Sequence, residues 1–189
     1  MKTIEDIKQY AIKNYVPIAR EPLVHYLIQI IQQRNYHSMF EIGTGIAYTC
    51  IKLCTHTSIE ITTIEHSKDR YQLSLQNITD FHLNHRIHLI MGDAQTYETS
   101  EKFDVIFIDA AKLKNKLFFE KFSPLLKENG IIIIDNMKLE DFAKHVKKEK
   151  YEKYLHSNQE LITYLQSLTH YNVQYLDIGD GILQIEYKK

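Results

Sequence analysis

Four consecutive isoleucines, Ile131 to Ile134, run directly into Asp135-Asn136. An unbroken run of β-branched side chains, bounded by turn-forming residues, predicts a strand buried on both faces. Such strands belong to parallel sheets covered by helices on each side. The segment therefore sets the terms for the rest of the chain.

The remaining pattern agrees with it. Ile4, Ile7, Tyr10, Ala11 and Tyr15 fall at helical spacing. Pro17 and Pro22 bracket a loop, Ile18-Ala19-Arg20, and a second helix follows with Leu23, Leu27, Ile30 and Ile31 on one face. From Ser38 onward strands and helices alternate. Met39 to Ile42 reads as a strand ending at Gly43-Thr44-Gly45, and Ile46 to His56 as a helix. Ile59 to Glu65 is a strand, and Asp69 to Leu83 a helix with Leu73, Leu75 and Ile78 inward. Ile87 to Met91 is a strand ending at Gly92-Asp93-Ala94; Phe103 to Ile108 is another, ending at Asp109. Phe118 to Leu126 and Leu161 to Leu168 are helical. Val173 to Ile178 and Ile182 to Tyr187 are joined by Gly179-Asp180-Gly181, a turn tight enough to require an antiparallel pair. The expected fold is α/β: a doubly wound, mostly parallel seven-stranded sheet with one reversed edge strand and helices on both faces. No repeat or linker interrupts it, so one domain is predicted, with N-terminal helices over 1–37 and the core over 38–189.

A chain of 189 residues, 44% hydrophobic, can bury a full core without staples. Its formal net charge of -1 excludes a protein that coats nucleic acid electrostatically, though not a local basic patch. No apolar run is long enough to span a bilayer, and the first residues carry no signal-peptide core. Two cysteines, Cys50 and Cys54, are too few for a disulfide framework; a reducing cytoplasm is expected, with no membrane partner.

In doubly wound sheets, ligands bind beyond the carboxyl ends of the strands. Here every predicted parallel strand ends in a carboxylate or a glycine turn. Gly43-Thr44-Gly45 leads into a helix, where glycines admit close backbone approach and helix amides favour an anion. Tyr48 occupies the third glycine position of the dinucleotide pattern, so that pattern is absent. Glu65 lies 20 residues past Gly45 at the next strand end, where a carboxylate can accept both hydroxyls of a ribose. Asp93 and Ala94 would flank an adenine. Asp109 with Asp135-Asn136 makes an all-oxygen set suited to a hard cation, Mg²⁺ most naturally. Lys112, three residues past Asp109, is placed to act as a general base once a neighbouring cation lowers its pKa.

The motifs FEIGTGIAYT, TTIEHSKDR, IMGDA, DVIFIDAAK, FFEKFSPLLKENGIIIIDN and IGDGILQI run from Phe40 to Ile185. Together they resemble the class I S-adenosylmethionine-dependent O-methyltransferases of the metal-dependent catechol and caffeoyl-CoA type. The IDAAK element with the later DN pair discriminates best. The resemblance implies Mg²⁺ on Asp109, Asp135 and Asn136, and Lys112 as base. It implies S-adenosylmethionine on Ile18, Glu41, Gly43, Thr49, Glu65, Asp93, Ala94 and Asp109. Within the family the chain is most similar to bacterial tRNA 5-hydroxyuridine methyltransferases, which implies the tRNA anticodon stem-loop as partner and 5-methoxyuridine as product. A small catechol-like diol is the alternative acceptor. Two departures stand out: Ala47 occupies a position where many relatives have glycine, and Lys138 to Asp141 replaces an apolar-glycine stretch in the substrate lid.

Local charge fits an RNA acceptor. Lys112 to Lys127 holds five lysines and one glutamate, and Arg20, Lys112, Lys114 and Lys116 are the phosphate candidates. Cys50, Cys54 and His56 lack the spacing of a zinc site. His82, His85 and His88 read as surface residues, and Asp180 as part of a turn. The N-terminal amphipathic helix suits a homodimer interface or the core equally.

Overall fold

The computed structural model describes residues 2–138 and 146–188. By their internal contacts they form two compact units, Met1–Ser100 and Glu101–Lys189. The described residues form the Rossmann-like α/β arrangement expected, with a mostly parallel seven-stranded sheet. No helix among them is long and apolar enough to cross a membrane.

In the first unit, α1 (Ile4–Lys13) opens on a capping box. Thr3 and Asp6 exchange backbone-to-side-chain bonds, and Ile7 and Ala11 face inward. Tyr10 and Tyr15, assigned to the same stripe by spacing, are exposed; Tyr15 lies past the helix end. Residues 16–20 form the expected loop before α2 (Glu21–Arg34), which stops at Asn35 in a left-handed cap. Three strands then pair in parallel: β1 (Ser38–Ile42), β2 (Glu60–Glu65) and β3 (Ile87–Met91), with β2 central. Between them lie α3 (Tyr48–His56) and α4 (Lys68–Asp80).

Helix α4 departs from its predicted facing. Leu75 is exposed, Leu73 half-buried, and the buried residues are Ser74, Asn77 and Ile78. Hydrophobic periodicity misassigned the face because two of the inward side chains are polar.

In the second unit, β4 (Phe103–Ile108) pairs in parallel with β5 (Leu126–Ile134). Strand β5 starts five residues before the isoleucine run, and its register shifts between Phe103 and Val105. Gly130 sits at that irregularity. A Cβ there would lie 2.6 Å from the Asp104 carbonyl oxygen and 2.8 Å from Leu126 Cδ1, so only glycine fits. A 3-10 turn over Lys112–Lys114 leads into α5 (Asn115–Phe122). The long helix α6 (Lys148–Ser167) precedes β6 (Tyr171–Leu176) and β7 (Ile182–Tyr187). Strand β7 runs antiparallel to both β5 and β6, so the reversed strand lies one place inside the edge strand β6.

Candidate active site

The glycine turn between β1 and α3 is built from left-handed backbone. Gly43 has φ 101°, Gly45 φ 61° and Ala47 φ 63°. Glycine takes these values freely; Ala47 does so at about 1–2 kcal/mol. The departure at Ala47 thus carries a conformational cost, and complete burial holds the residue in place. The turn is fastened to β2 by bonds from the Gly43 and Thr44 amides to the Ile64 carbonyl.

Glu65 is 3% exposed at the end of β2. Its Oε2 accepts from the Gly45 amide at 2.9 Å, and its Oε1 from the Ser67 amide at 2.9 Å. Two backbone donors thereby orient a carboxylate that has lone pairs left for a ligand's hydroxyls. Asp93 is exposed and caps its own turn: Oδ1 accepts from the Gln95 amide and Oδ2 from Gln95 Nε2. Ala94 is buried beside it. Ile18 is half-buried and Arg20 exposed in the loop before α2, and the Pro17 carbonyl lies 3.8 Å from where a Gly45 Cβ would be. Thr49 is buried in the first turn of α3.

Glu41, also expected at the cofactor, is buried in a network of its own. Its Oε2 accepts from Cys50 Sγ and Thr63 Oγ1, each at 2.6 Å, and Thr63 pairs with Thr44 of the turn at 2.7 Å. Burial pushes the Glu41 carboxyl up to about 7, and the same burial raises the Cys50 thiol. Cys54 donates to the Ile59 carbonyl. Both cysteines therefore serve the interior, and His56 bonds back to the Lys52 carbonyl.

The second unit carries the other group of strand-end residues. Asp135 is buried, and its carboxyl is pushed well above the usual carboxylate range, first by burial and then by the charge of Asp109. Asn136, at φ 62°, donates its amide to Asp135 Oδ1 at 2.6 Å; asparagine tolerates this left-handed geometry better than most residues. Lys112 lies within reach of the charges of Asp135, Asp180 and Asp109, yet burial still lowers its ammonium's pKa. Asp180, expected to serve only its turn, thus acts on both Asp135 and Lys112. Two backbone bonds hold that turn against the end of β5: Met137 N to Gly181 O at 2.9 Å and Lys138 N to Asp180 O at 2.8 Å.

Among the described residues no three His, Cys, Asp or Glu side chains are grouped to hold a metal ion. The predicted set is different in kind, with two carboxylates and one carboxamide. It fits a hard cation by donor chemistry: all donors are oxygens, and the Asp109 charge that raises Asp135 is one a cation would offset. Of the phosphate candidates, Lys114 is half-buried, and Lys116 Nζ sits 4.8 Å above the Tyr164 ring. Beyond Lys138, the expected lid segment lies outside the described residues. Sequence reasoning missed Thr44, Thr63, Ser74 and Asn77. For Ser74 and Asn77 the available signal was polar residues at helical spacing beside Ile78 on α4.

A family model described as O-methyltransferase matches residues 2–188. The chain belongs to this family. Among curated O-methyltransferases it is similar to an Arabidopsis thaliana protein assigned as a caffeoyl-CoA O-methyltransferase, at 28% identity over 84% of this chain and 72% of that one. It is 27% identical to the tapetum-specific methyltransferase 1 of the same plant, over 70% of this chain but only 62% of that protein's length. A solved structure from Staphylococcus aureus, also assigned as a caffeoyl-CoA O-methyltransferase, is 29% identical with a TM-score of 0.88, covering 100% of this chain and 93% of that one. An O-methyltransferase from Bacillus cereus, solved with SAH, shares the fold at 21% identity and TM-score 0.81, covering 100% of this chain and 92% of that one.

Proposed function

We propose that the chain transfers the methyl group of S-adenosylmethionine to a hydroxyl oxygen, and that the acceptor is the 5-hydroxyl of 5-hydroxyuridine at the tRNA wobble position, in the cytoplasm. The observation that carries the reaction class is the gathering of Lys112 and Asp180 with the strand-end residues Asp109 and Asp135 within one another's charge in an O-methyltransferase. Glu65 would accept the ribose hydroxyls, with Gly43, Thr49, Asp93 and Ala94 completing the cofactor's surroundings. Asp109, Asp135 and Asn136 would hold a Mg²⁺, which when bound lowers the pKa of an acceptor hydroxyl and orients it. Lys112 Nζ, shifted by burial toward its neutral form, takes the hydroxyl proton. Holding donor and acceptor in line supplies much of the rate gain.

Lysine-rich segments of the second unit suit RNA as the acceptor. Lys147, Lys150 and Lys153, with Val146 and Glu149, line a cavity of about 370 Å³ at the start of α6. Lys114, Lys116 and Arg20 would add phosphate contacts, while Lys112 serves as the base. The second reading, a small catechol-like diol, is favoured by the caffeoyl-CoA assignments of the relatives.

Labelled S-adenosylmethionine offered with undermodified tRNA and, separately, with catechols distinguishes them. Mass spectrometry of the tRNA nucleosides is expected to show 5-methoxyuridine. Clear catechol methylation with no incorporation into tRNA rejects the RNA reading. In the same assay EDTA is expected to abolish turnover and added Mg²⁺ to restore it; full turnover in EDTA removes the cation from the scheme.

A further inference from the structure

We propose that Ser74 and Asn77 are positioning residues for the cofactor, acting through the glycine turn. The inference rests on the reading that this turn binds S-adenosylmethionine. From one face of α4, Ser74 Oγ donates to the Gly45 carbonyl at 3.0 Å, and Asn77 Nδ2 donates to the Ile46 carbonyl at 2.8 Å. The two residues thus hold consecutive carbonyls of a segment whose left-handed backbone makes no regular ladder. The Gly45 amide, on the other side of the same residue, goes to Glu65. Gly45 is therefore fixed at both its polar groups, one by the ribose carboxylate and one by α4.

Packing does not explain these residue types. Ser74 and Asn77 are 0% and 2% exposed, and a buried hydroxyl or amide is costly unless bonded. Ile78 shows that α4 docks with an aliphatic side chain on the same face. What the polar pair supplies is the anchor for the turn. The Asn77 amide is used at both ends: its Oδ1 accepts from Lys2 Nζ at 2.6 Å, which orients Nδ2 toward Ile46. Lys2 also pairs with Asp80 at 3.1 Å, one turn further along α4. Aspartate at position 77 would oppose a carboxylate to the Ile46 carbonyl, and alanine at 74 would leave the Gly45 carbonyl without its donor.

Isothermal titration of the full chain with S-adenosylmethionine tests this in the wild type, Asn77→Asp and Ser74→Ala. The dissociation constant is expected to rise about tenfold in Asn77→Asp and several-fold in Ser74→Ala, on the scale of one lost hydrogen bond to a buried group. The stoichiometry should stay near one. In turnover assays the KM for S-adenosylmethionine should rise while kcat at saturating cofactor and the KM for the acceptor change less than about twofold. A merely structural role would lower the competent fraction, and with it kcat, without moving the dissociation constant. Should Asn77→Asp fail to fold, Ser74→Ala decides by the same criteria. Wild-type binding with both folded variants within twofold of it overturns the inference alone. A wild type that does not bind S-adenosylmethionine overturns the proposed function itself, and this inference with it.

Discussion

Asp135→Ala is expected to lower methyl transfer by about 10³-fold or more, on the scale of several kcal/mol of lost charge stabilisation. Binding of S-adenosylmethionine should remain measurable. The separation follows from where the residues lie. Glu65 and the glycine turn belong to the first unit, whereas Asp135 stands at the end of β5 in the second. Asp135 is also an unfavourable residue for the fold on its own account, being buried beside the like charge of Asp109. Its removal should therefore leave the thermal midpoint unchanged or raise it, which keeps a loss of turnover from being a loss of folding. Turnover within about tenfold of wild type would remove Asp135 from the reacting centre.

The second large effect concerns stability and its dependence on pH. Glu41 has an ordinary carboxyl pKa of 4.5 in the unfolded chain and about 7 in the folded one, because burial disfavours its charge. Between those values the folded state binds more protons than the unfolded state. The contribution of this group is therefore fully present below about pH 4.5 and is lost as the pH rises through 7. Glu41→Gln removes that dependence. Both bonds from Cys50 and Thr63 end on Oε2, so an amide oxygen can replace it while the NH₂ takes the place of the protonated Oε1. At pH 8 the variant should be more stable by up to about 3 kcal/mol, and at pH 4 by nearly nothing. Urea denaturation of the cofactor-free chain at both values checks this. Equal stability at pH 8, or a less stable variant, would show that Glu41 is ionised and matched in the fold.

Much of the architecture was legible because it repeats. Ile131 to Ile134 and Phe103 to Ile108 announce buried strands by unbroken apolar runs, and both are strands. The glycine turn and Glu65 stand at strand ends, where the parallel-sheet rule places ligand groups. Elements whose inward residues are polar were read wrongly or incompletely. On α4, leucine spacing pointed to Leu75, which faces water, while Ser74 and Asn77 face inward. Strand β5 begins at Leu126 because Gly130 lets the Asp104 carbonyl approach, and a close backbone approach leaves no periodic mark.

The sequence by itself therefore determined the α/β class, the order of elements, and which carboxylates stand at strand ends, since each depends on the local alternation of apolar and polar residues along the chain. Only the tertiary structure decided which polar side chains are partners. Ser74 meets Gly45 across 29 positions, Thr63 meets Glu41 across 22, and the turn holding Asp180 is bonded to Met137 and Lys138 more than 40 positions earlier. A buried polar group is tolerated only through a bond to a specific partner. That partner is chosen by the folded backbone, and no local pattern records it.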